Sequence, residues 1–524
     1  MRRDILIGID AGTSVIKAVA FTLAGEQLAI AATPNSYQTL ADGGVEQDMA
    51  RTWVDTAATL RLLGEAVPHL AARTLALAVT GQGDGTWLID AAGEPVAPGW
   101  LWLDSRAAQI AESFVAATSY RDHYERTGTG VNACQQSVQL AWLRRNRPEV
   151  IAKAASAHHC KDWLYFKLTG DRATDPSEGN FTFGSYVTRE YAPGILDALG
   201  AGDCERLLPR IVDGTREAGA LTPTAANETG LFSGTPIVLG SVDVVCTGLG
   251  GGLFDTSGQA GCTVIGSTGM HMRLATSSEK VVLNPEGSGY TMVFPAPGML
   301  AQMQSNMAAT LNIDWLLELA CEILAGQGVT RKRGDVLAGL DDRILDRPPC
   351  RLLFHPYISR AGERGPFLDP SARAQFIGLE SGMGYADLMR AVFEGLCHAA
   401  RDCYSVMGNI PAEVRLAGGA ARSKALVQLL AGALGTPVRR AGREEAGAAG
   451  AAMIAAIQQG VYPDIAAATA EWVDPMLGDR TEPDAQIAAA FARSFPIYLD
   501  TRKAMRPIWR TLQTSQQEGT SNGA

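Results

Sequence analysis

Two apolar segments near the N-terminus are joined by a short polar bend, and this arrangement constrains the fold most strongly. Residues 5–11 read ILIGIDA and residues 15–19 read VIKAV, with Gly12-Thr13-Ser14 between them. Apolar runs on both sides of a glycine-containing bend predict a β-hairpin. Gly12 would let a phosphate approach the backbone, and the hydroxyls of Thr13 and Ser14 can donate hydrogen bonds to its oxygens. An ordinary structural turn is the alternative for this bend taken alone.

A carboxylate and an amine flank the bend. Asp10 stands near the end of the first apolar segment, and Lys17 lies within the second. A carboxylate at the end of a buried strand can supply one ligand to a hydrated Mg²⁺ that also binds nucleotide phosphates. We therefore expect Asp10 to bind Mg²⁺, and we count Lys17 among the residues that contact the nucleotide.

The bend recurs about halfway along the chain. An apolar run at 261–265 ends in Gly266-Ser267-Thr268, and a second apolar run follows. No aspartate stands at the position that matches Asp10. Because a second phosphate contact needs no second metal ligand, we expect a nucleotide to lie between two related halves of the chain. Two such bends favour phosphate binding over two unrelated turns.

The length of the chain predicts two domains. A single core seldom supports 524 residues, so two domains of about 250 residues each are expected. A three-stranded meander followed by alternating helices and strands predicts α/β domains with mixed sheets. With the glycine run at 250–252 as boundary, we expect an N-terminal domain at 1–252 and a C-terminal domain at 253–512. The polar tail at 513–524 is expected to be disordered.

Composition and charge exclude several classes of partner. The net charge is −10 and no block of Lys or Arg occurs, which argues against nucleic acid or a membrane surface. No apolar run is long enough to span a bilayer. Nine cysteines without a Cys-x-x-Cys spacing fit buried, reduced thiols in a cytoplasmic protein. The expected partner is a small molecule. A homodimer, in which the partner is a second copy of the chain, is also compatible with the sequence.

Asp243 is the candidate general base. It follows an apolar strand at 236–240 and precedes a segment that can form a helix. A carboxylate at such a position can accept the proton of a substrate hydroxyl as that hydroxyl attacks phosphorus. A helix N-cap is the alternative role.

A run of small residues in the C-terminal half is a candidate for binding the rest of the nucleotide. Gly418, Gly419 and Ala420 follow a strand, and Ser423 precedes a helix. Small residues at a helix N-terminus let a flat ring or a phosphate lie against the backbone. A tight strand-to-helix turn is the alternative.

Two polar loops in the N-terminal half are candidates for binding an acceptor. Each follows an apolar stretch, and their polar groups can form hydrogen bonds with the hydroxyls of a small polar molecule. Isolated surface loops are the alternative. The six candidate residues are Gln82, Gly83, Asp84, Trp102, Asp104 and Arg106.

Taken in order, these motifs resemble the FGGY family of carbohydrate kinases, over about residues 4–510. Each motif is weak alone, and the shared order and spacing make the resemblance specific. The resemblance implies an actin-like pair of ribonuclease-H-like domains with ATP bound in the cleft between them. The matching segments are residues 10–13, 81–85, 102–106, 161–164, 168–170, 174–175, 243, 266–268 and 416–423.

The resemblance also implies roles for single residues. Asp10 would position Mg²⁺, Thr13 and Thr268 would contact phosphates, and the pair at 418–419 would flank the adenosine. Asp243 would take the proton from the acceptor hydroxyl. The cofactors implied are therefore ATP and Mg²⁺.

The acceptor loop departs from better-known members of the family. Glycerol kinases carry Arg-Glu after the glutamine and xylulokinases carry Met-His, whereas Gly83 and Asp84 stand here. This loop resembles that of family members that phosphorylate erythritol and that of some related polyol or pentulose kinases. We therefore expect phosphorylation of a terminal hydroxyl of a four-carbon polyol, erythritol. A pentulose or pentitol kinase is the alternative within the family, and an actin-superfamily ATPase without an acceptor is the alternative outside it.

Overall fold

Two central mixed β-sheets, one in each half of the chain, position the two bends. The computed structural model describes residues 3–521. The first sheet has six strands and the second has seven. In spatial order, the strands of the first sheet are Gly219–Ala220, Pro236–Leu239, Thr74–Gly81, Ile5–Ala11, Val15–Thr22 and Gln27–Pro34. Those of the second are Tyr290–Val293, Leu300–Asn306, Gly269–Ala275, Ala260–Ile265, Glu413–Ala417, Val438–Ala441 and Leu477–Thr481.

The two sheets share one plan. Each contains three neighbouring antiparallel strands, and the innermost of them pairs in parallel with a strand from much later in the chain. Ile5–Ala11 pairs in parallel with Thr74–Gly81, and Ala260–Ile265 pairs in parallel with Glu413–Ala417. The predicted hairpins and mixed sheets are thus confirmed, and each bend joins the first two of these antiparallel strands in its own sheet.

Helices pack around the two central sheets, and short strands form five small sheets beside them. The helices are Met49–Ala66, Leu70–Arg73, Ala108–Val115, Tyr120–Thr127, Gln136–Asn146, Pro148–Lys153, Cys160–Thr169, Pro176–Phe183, Pro223–Thr229, Asp243–Gly250, Thr310–Gly326, Arg333–Leu337, Leu340–Leu345, Tyr385–Val406, Lys424–Leu434, Ala446–Gln458, Ile465–Trp472 and Ala485–Ser521. The short strands are Gln38–Thr39, Val45–Gln47 and Gly99–Trp100; Trp87–Ile89 and Ser156–His158; Ala173–Thr174 and Arg210–Ile211; Gly184–Ser185 and Glu190–Tyr191; and Leu353–His355 and Gln375–Ile377.

The two halves meet through the alanine-rich helix Ala446–Gln458, which packs on the first sheet and on helix Asp243–Gly250. Close approach requires small residues here. A Cβ added at Gly8 would lie 2.0 Å from the backbone oxygen of Ala448, and one added at Gly450 would lie 2.0 Å from that of Cys246. The composition of this helix is therefore explained by its packing against backbone on two sides.

One buried cluster spans the predicted domain boundary. It joins Leu6 and Phe21 of the first sheet to Cys262 of the second and to Ala448 of the alanine-rich helix. Nonpolar surface buried in such a cluster stabilises both halves together. The division at residue 252 stays a prediction.

The segment after the acceptor loop forms strand Trp87–Ile89, which pairs with Ser156–His158 in a separate small sheet. Residues 513–521, expected to be disordered, continue the last helix. That helix is anchored by Trp509, whose ring packs edge-on against Tyr357 at 5.6 Å. Residues 522–524 of the predicted tail lie outside the described residues.

None of the helices within residues 3–521 combines the length and the apolar character that crossing a bilayer requires.

Candidate active site

The first bend lies against the two predicted acceptor loops. The Thr13 hydroxyl donates a hydrogen bond to Gln82 Oε1 at 2.9 Å and accepts one from Trp102 Nε1 at 2.9 Å. Gln82 Nε2 in turn donates to Gln47 Oε1 at 2.8 Å. The structure therefore brings Thr13, Gln82 and Trp102 together, and their binding roles stay predictions.

Asp10 lies where the first sheet meets the alanine-rich helix. A Cβ added at Gly447 would lie 2.4 Å from Asp10 Oδ2, so only glycine at this position leaves room for the Asp10 carboxylate. Burial raises the pKa of Asp10 to about 6, the charge of Lys17 opposes the rise, and that of Glu445 adds to it. The Lys17 ammonium donates to Glu445 at 2.8 Å, so its partner is a carboxylate of the other half of the chain. This ion pair was not predicted, and it leaves the nucleotide-binding role of Lys17 a prediction.

The second bend opens onto the start of a helix. The backbone oxygens of Gly266 and Ser267 accept hydrogen bonds from Thr310 and Ala309 at 2.9 and 2.7 Å. Thr268 closes the bend, since its carbonyl accepts a bond from the Gly266 amide at 3.0 Å. The bend is thus fixed through its backbone, and its predicted phosphate contacts stay a prediction.

Gly418 lies directly beside the strand that leads into the second bend. Its φ is +89°, and a Cβ there would lie 2.5 Å from the backbone oxygen of Ile265. Gly419 and Ala420 follow in a short 3₁₀ turn, and a Cβ at Gly419 would meet open space. The structure therefore places the predicted adenosine-binding residues next to the second bend.

Ser423 has a structural role that the sequence prediction did not assign. Its hydroxyl caps helix Lys424–Leu434 by accepting a bond from the Leu426 amide at 3.1 Å. The same hydroxyl donates to Asp341 Oδ1 at 2.7 Å. Both partners belong to the helix framework, and the predicted contact of Ser423 with the nucleotide stays a prediction.

Asp243 is the first residue of its helix, and the N-cap is Val242, so the capping alternative does not describe it. Its Oδ1 accepts a bond from the Val244 amide at 2.7 Å. Burial raises the pKa of Asp243 well above its ordinary value, and the carboxylates of Asp10, Glu178 and Asp84 raise it further, against the Val244 bond. Asp243 is therefore the centre of a group of carboxylates drawn from separate segments.

The acceptor loop is strained and enclosed. Asp84 has a φ of +55°, a conformation that non-glycine residues seldom adopt outside functional sites and turns. Its amide donates to Glu178 Oε1 at 3.0 Å. A Cβ at Gly83 would lie 2.4 Å from a methyl carbon of Val242, so glycine lets this loop lie beside Asp243.

A buried network of charged residues supports the acceptor loop that carries Asp84. The network consists of His159, Lys161, Asp162, Asp175 and Glu178. Lys161 Nζ lies 2.6 Å from Asp162 and 2.8 Å from Asp175, and His159 Nδ1 lies 3.0 Å from Asp162 and 2.9 Å from Glu178. Burial lowers the pKa of His159, but the neighbouring carboxylates prevail and raise it to about 10. The imidazole is thus a cation that holds Glu178, and Glu178 holds the acceptor loop.

Asp104 and Arg106, predicted to bind the acceptor, form internal pairs instead. Arg106 makes a fork with Asp104 at 2.6 to 3.2 Å and lies 3.5 Å above the ring of Trp100. Asp104 Oδ2 also accepts a bond from the Val45 amide at 2.8 Å. Because the Asp104 carboxylate is used in this way, the pair shapes the loop that carries Trp102, and direct binding of the acceptor by these two residues stays a prediction.

Four residues of this site were missed at the level of the sequence. His159 and Glu178 stand in segments that give only helix-start signals, and Gly447 stands in an alanine-rich helix typical of core packing. Arg364, whose guanidinium lies 5.7 Å from the ring of Trp102, comes from the far half of the chain. His159 and Glu178 stand next to the segments 161–164 and 174–175, which match the family, and this proximity could have pointed to them. No local pattern marks Gly447 or Arg364.

The family is decided by two matches that cover most of the chain. The N-terminal domain of the FGGY family of carbohydrate kinases matches residues 5–250, and its C-terminal domain matches residues 261–459. The chain belongs to this family. It is therefore a carbohydrate kinase, a phosphotransferase, and the alternative of an actin-superfamily ATPase without an acceptor is wrong.

Individual relatives agree with this family. Erythritol kinase of Brucella abortus (strain 2308) is 49% identical over 513 residues, which cover 98% of each chain. Xylulose kinase of Escherichia coli (strain K12) is 29% identical over 86% of this chain and 89% of its own. The solved xylulose kinase from Rhodospirillum rubrum superposes with a TM-score of 0.85 at 24% identity, over 97% of this chain and 100% of its own. The predicted two-domain, actin-like α/β fold is confirmed.

Proposed function

We propose that this FGGY kinase transfers the γ-phosphoryl group of ATP to a terminal hydroxyl of a small polyol, with erythritol as the first candidate. The 49% identity to an erythritol kinase supports this acceptor. The charge of the pocket supports it as well, because a neutral polyol offers hydroxyl donors to carboxylates without adding negative charge. The nine free cysteines suit a reducing compartment, so we place the reaction in the cytoplasm.

The carboxylate of Asp243 carries the proposal. It stands at the start of a helix, and the charges of Asp10 and Asp84 both act on it. A base between a nucleotide site and an acceptor loop can take the proton of the attacking hydroxyl. The raised pKa of Asp243 means that its carboxylate binds a proton more strongly. A general base needs this affinity because it accepts the hydroxyl proton while the hydroxyl oxygen attacks phosphorus.

The residues around Asp10 fit a divalent cation. The charge of Asp10 raises the pKa of Asp243, and the charge of Glu445 raises the pKa of Asp10, so negative charge gathers around Asp10. Asp10 would hold Mg²⁺, whose positive charge would offset the negative charge of these carboxylates and of ATP. We expect Asp10→Ala to weaken Mg²⁺-dependent use of ATP, and an unchanged metal requirement would contradict this assignment.

The two bends supply the remaining contacts to phosphate. Thr13 and Ser14 of the first bend, and Ser267 and Thr268 of the second, offer hydroxyl and backbone donors to a triphosphate held between the halves. Gly418 and Gly419 lie beside the second bend and would receive the adenosine. Closure of the halves would exclude water, which competes with the acceptor for the phosphoryl group.

A panel of acceptors tests the function. ADP release with MgATP would be measured for erythritol, threitol, glycerol, xylitol, ribulose and xylulose under identical conditions. We expect the highest kcat/KM with erythritol, and ATP hydrolysis without any acceptor should be far slower. Release of ADP that does not depend on any of these molecules would contradict the proposal.

A pentulose acceptor is the second candidate. The 29% identity to xylulose kinase over 86% of the chain favours it, and the same base and bends would serve it. A higher kcat/KM for xylulose or ribulose than for any polyol in the panel would decide for this candidate.

A further inference from the structure

Asp84 presents one carboxylate oxygen that has no partner. Its Oδ2 accepts a bond from the Cys134 thiol at 3.5 Å, and its amide is held by Glu178. Its Oδ1 is buried and receives no hydrogen bond from the described residues. A buried carboxylate oxygen without a donor is costly, so this atom is expected to face a ligand.

Arg364 enters the same site from the C-terminal half. Its Nε donates to Ser305 Oγ at 3.1 Å, and its guanidinium faces the ring of Trp102. The loop that carries it is fixed by Glu363, whose carboxylate accepts bonds from the amides of Met307 and Arg364, both at 2.9 Å. Within residues 3–521, the Arg364 side chain is thus held in place while its two terminal nitrogens make no hydrogen bond, so they are available to another partner.

Asp84 and Arg364 interact without touching. Burial raises the pKa of Asp84, and the charge of Arg364 opposes that rise more strongly than any other group. Yet no carboxylate oxygen in the described part of the chain lies within 4.0 Å of an Arg364 nitrogen. A partly buried guanidinium that acts on a buried carboxylate without forming an ion pair with it is unusual, because buried charges are normally paired directly.

We propose that Asp84 and Arg364 bracket one non-reacting hydroxyl of the acceptor, so that Arg364 is a specificity-determining residue supplied by the C-terminal half. A hydroxyl is both donor and acceptor, so it can donate to Asp84 Oδ1 and accept from an Arg364 terminal nitrogen at the same time. The inference rests on the proposed function, since it assigns a hydroxyl of the polyol.

The bracket has two consequences. An acceptor that lacks this hydroxyl leaves a carboxylate and a guanidinium unpaired, so it is rejected strongly. The two partners belong to different halves of the chain, so a bound polyol joins the halves around the nucleotide. Acceptor binding and closure of the cleft are therefore linked through Arg364.

Selectivity between two acceptors tests the bracket. Erythritol is compared with butane-1,2,4-triol, which has the same carbon chain and one hydroxyl fewer, in the wild type and in Arg364→Met. We expect the variant to raise KM for erythritol about 10- to 100-fold, as loss of a charged hydrogen bond does, and to leave KM for ATP unchanged. The ratio of the two kcat/KM values should fall at least tenfold.

Controls separate binding from folding. Arg360→Met removes an exposed arginine four positions earlier on the same loop and should leave both acceptors unaffected. If Arg364→Met does not fold, Arg364→Lys decides by the same ratio, because it keeps the charge and loses the planar pair of donors. In the Asp84→Asn background, the effect of Arg364→Met on KM for erythritol should shrink.

The outcomes are distinguishable. A folded Arg364 variant that is active and keeps the wild-type ratio between the two acceptors overturns the bracket and leaves the proposed function intact. A wild-type protein that releases no ADP with any polyol overturns the proposed function and the bracket with it.

Discussion

The indole Nε1 of Trp102 donates a hydrogen bond to the hydroxyl of Thr13 at 2.9 Å, and this contact joins the first phosphate bend to an acceptor loop. The same hydroxyl donates to Gln82 of the other acceptor loop at 2.9 Å. The predicted donor and acceptor sites would therefore share one side chain. A substitution of Thr13 should therefore change KM for both ATP and the polyol.

Thr13→Val removes this shared hydroxyl with little change of volume. Each lost neutral hydrogen bond costs about 1 kcal/mol, so we expect KM for both ATP and the polyol to rise about 5- to 20-fold. Trp102→Phe, which removes only the indole donor, should raise KM for the polyol and spare that for ATP. Steady-state kinetics with each substrate varied in turn give the four values. Equal effects of the two variants on ATP would speak against the shared role of Thr13.

Asp243→Asn keeps the shape of the side chain and removes its ability to accept a proton. We expect kcat to fall about 100- to 10,000-fold, the usual range for loss of a general base, while ATP still binds. Titration of ATP by calorimetry and turnover of the purified variant provide the two readouts. Asp500→Asn, at an exposed position of the last helix, is the matched control and should be fully active. Near-normal turnover of Asp243→Asn would refute the assignment.

Gly447→Ala tests the packing of Asp10. Alanine is favoured over glycine inside a helix by about 1 kcal/mol, but here its Cβ would lie 2.4 Å from Asp10 Oδ2. We expect the carboxylate to be displaced, so that more Mg²⁺ is needed for half-maximal activity. Gly64→Ala lies in a helix where a Cβ meets nothing within 4 Å, and it should leave activity unchanged. A Gly447→Ala enzyme with the wild-type Mg²⁺ dependence would show that Asp10 tolerates the methyl group.

The charge of His159 predicts how stability depends on pH. Its pKa is raised from 6.5 to about 10, so its contribution is fully present below about pH 6.5 and is lost as pH rises through about 10. We expect the midpoint of urea unfolding to fall between pH 7 and pH 10.5. His159→Gln should be less stable at pH 7 and should show a smaller fall over that range. His69→Asn, at an exposed site, should follow the wild-type curve; an identical slope for His159→Gln would exclude a charged imidazole.

Much of the local structure was predictable from the sequence. The strands on both sides of each bend, the helix Cys160–Thr169 and the strand before Asp243 follow from runs of apolar residues and from the glycines that end them. Asp10, Thr13, Gln82 and Asp243 were identified because their neighbours in the chain mark them.

The hydrogen-bond partners of polar side chains were less predictable from the sequence, as Asp104 and Ser423 illustrate. Both are polar residues at the ends of elements, and such positions serve ligands or the framework equally well. Their hydrogen bonds to Val45 and to Asp341 come from residues 59 and 82 positions away. Whether a polar side chain is free for a ligand depends on those distant neighbours, which no local pattern contains.

The sequence by itself determined the family, the two related sheets and the bends that lie at their ends, because the spacing of apolar residues and glycines is a local property. Only the tertiary structure decided that Glu178 supports Asp84 from 94 positions away, that Gly447 accommodates Asp10, and that Arg364 faces the acceptor loop. These relationships arise when two halves fold against one shared helix, and burial then determines the pairing and the proton affinity of each charge.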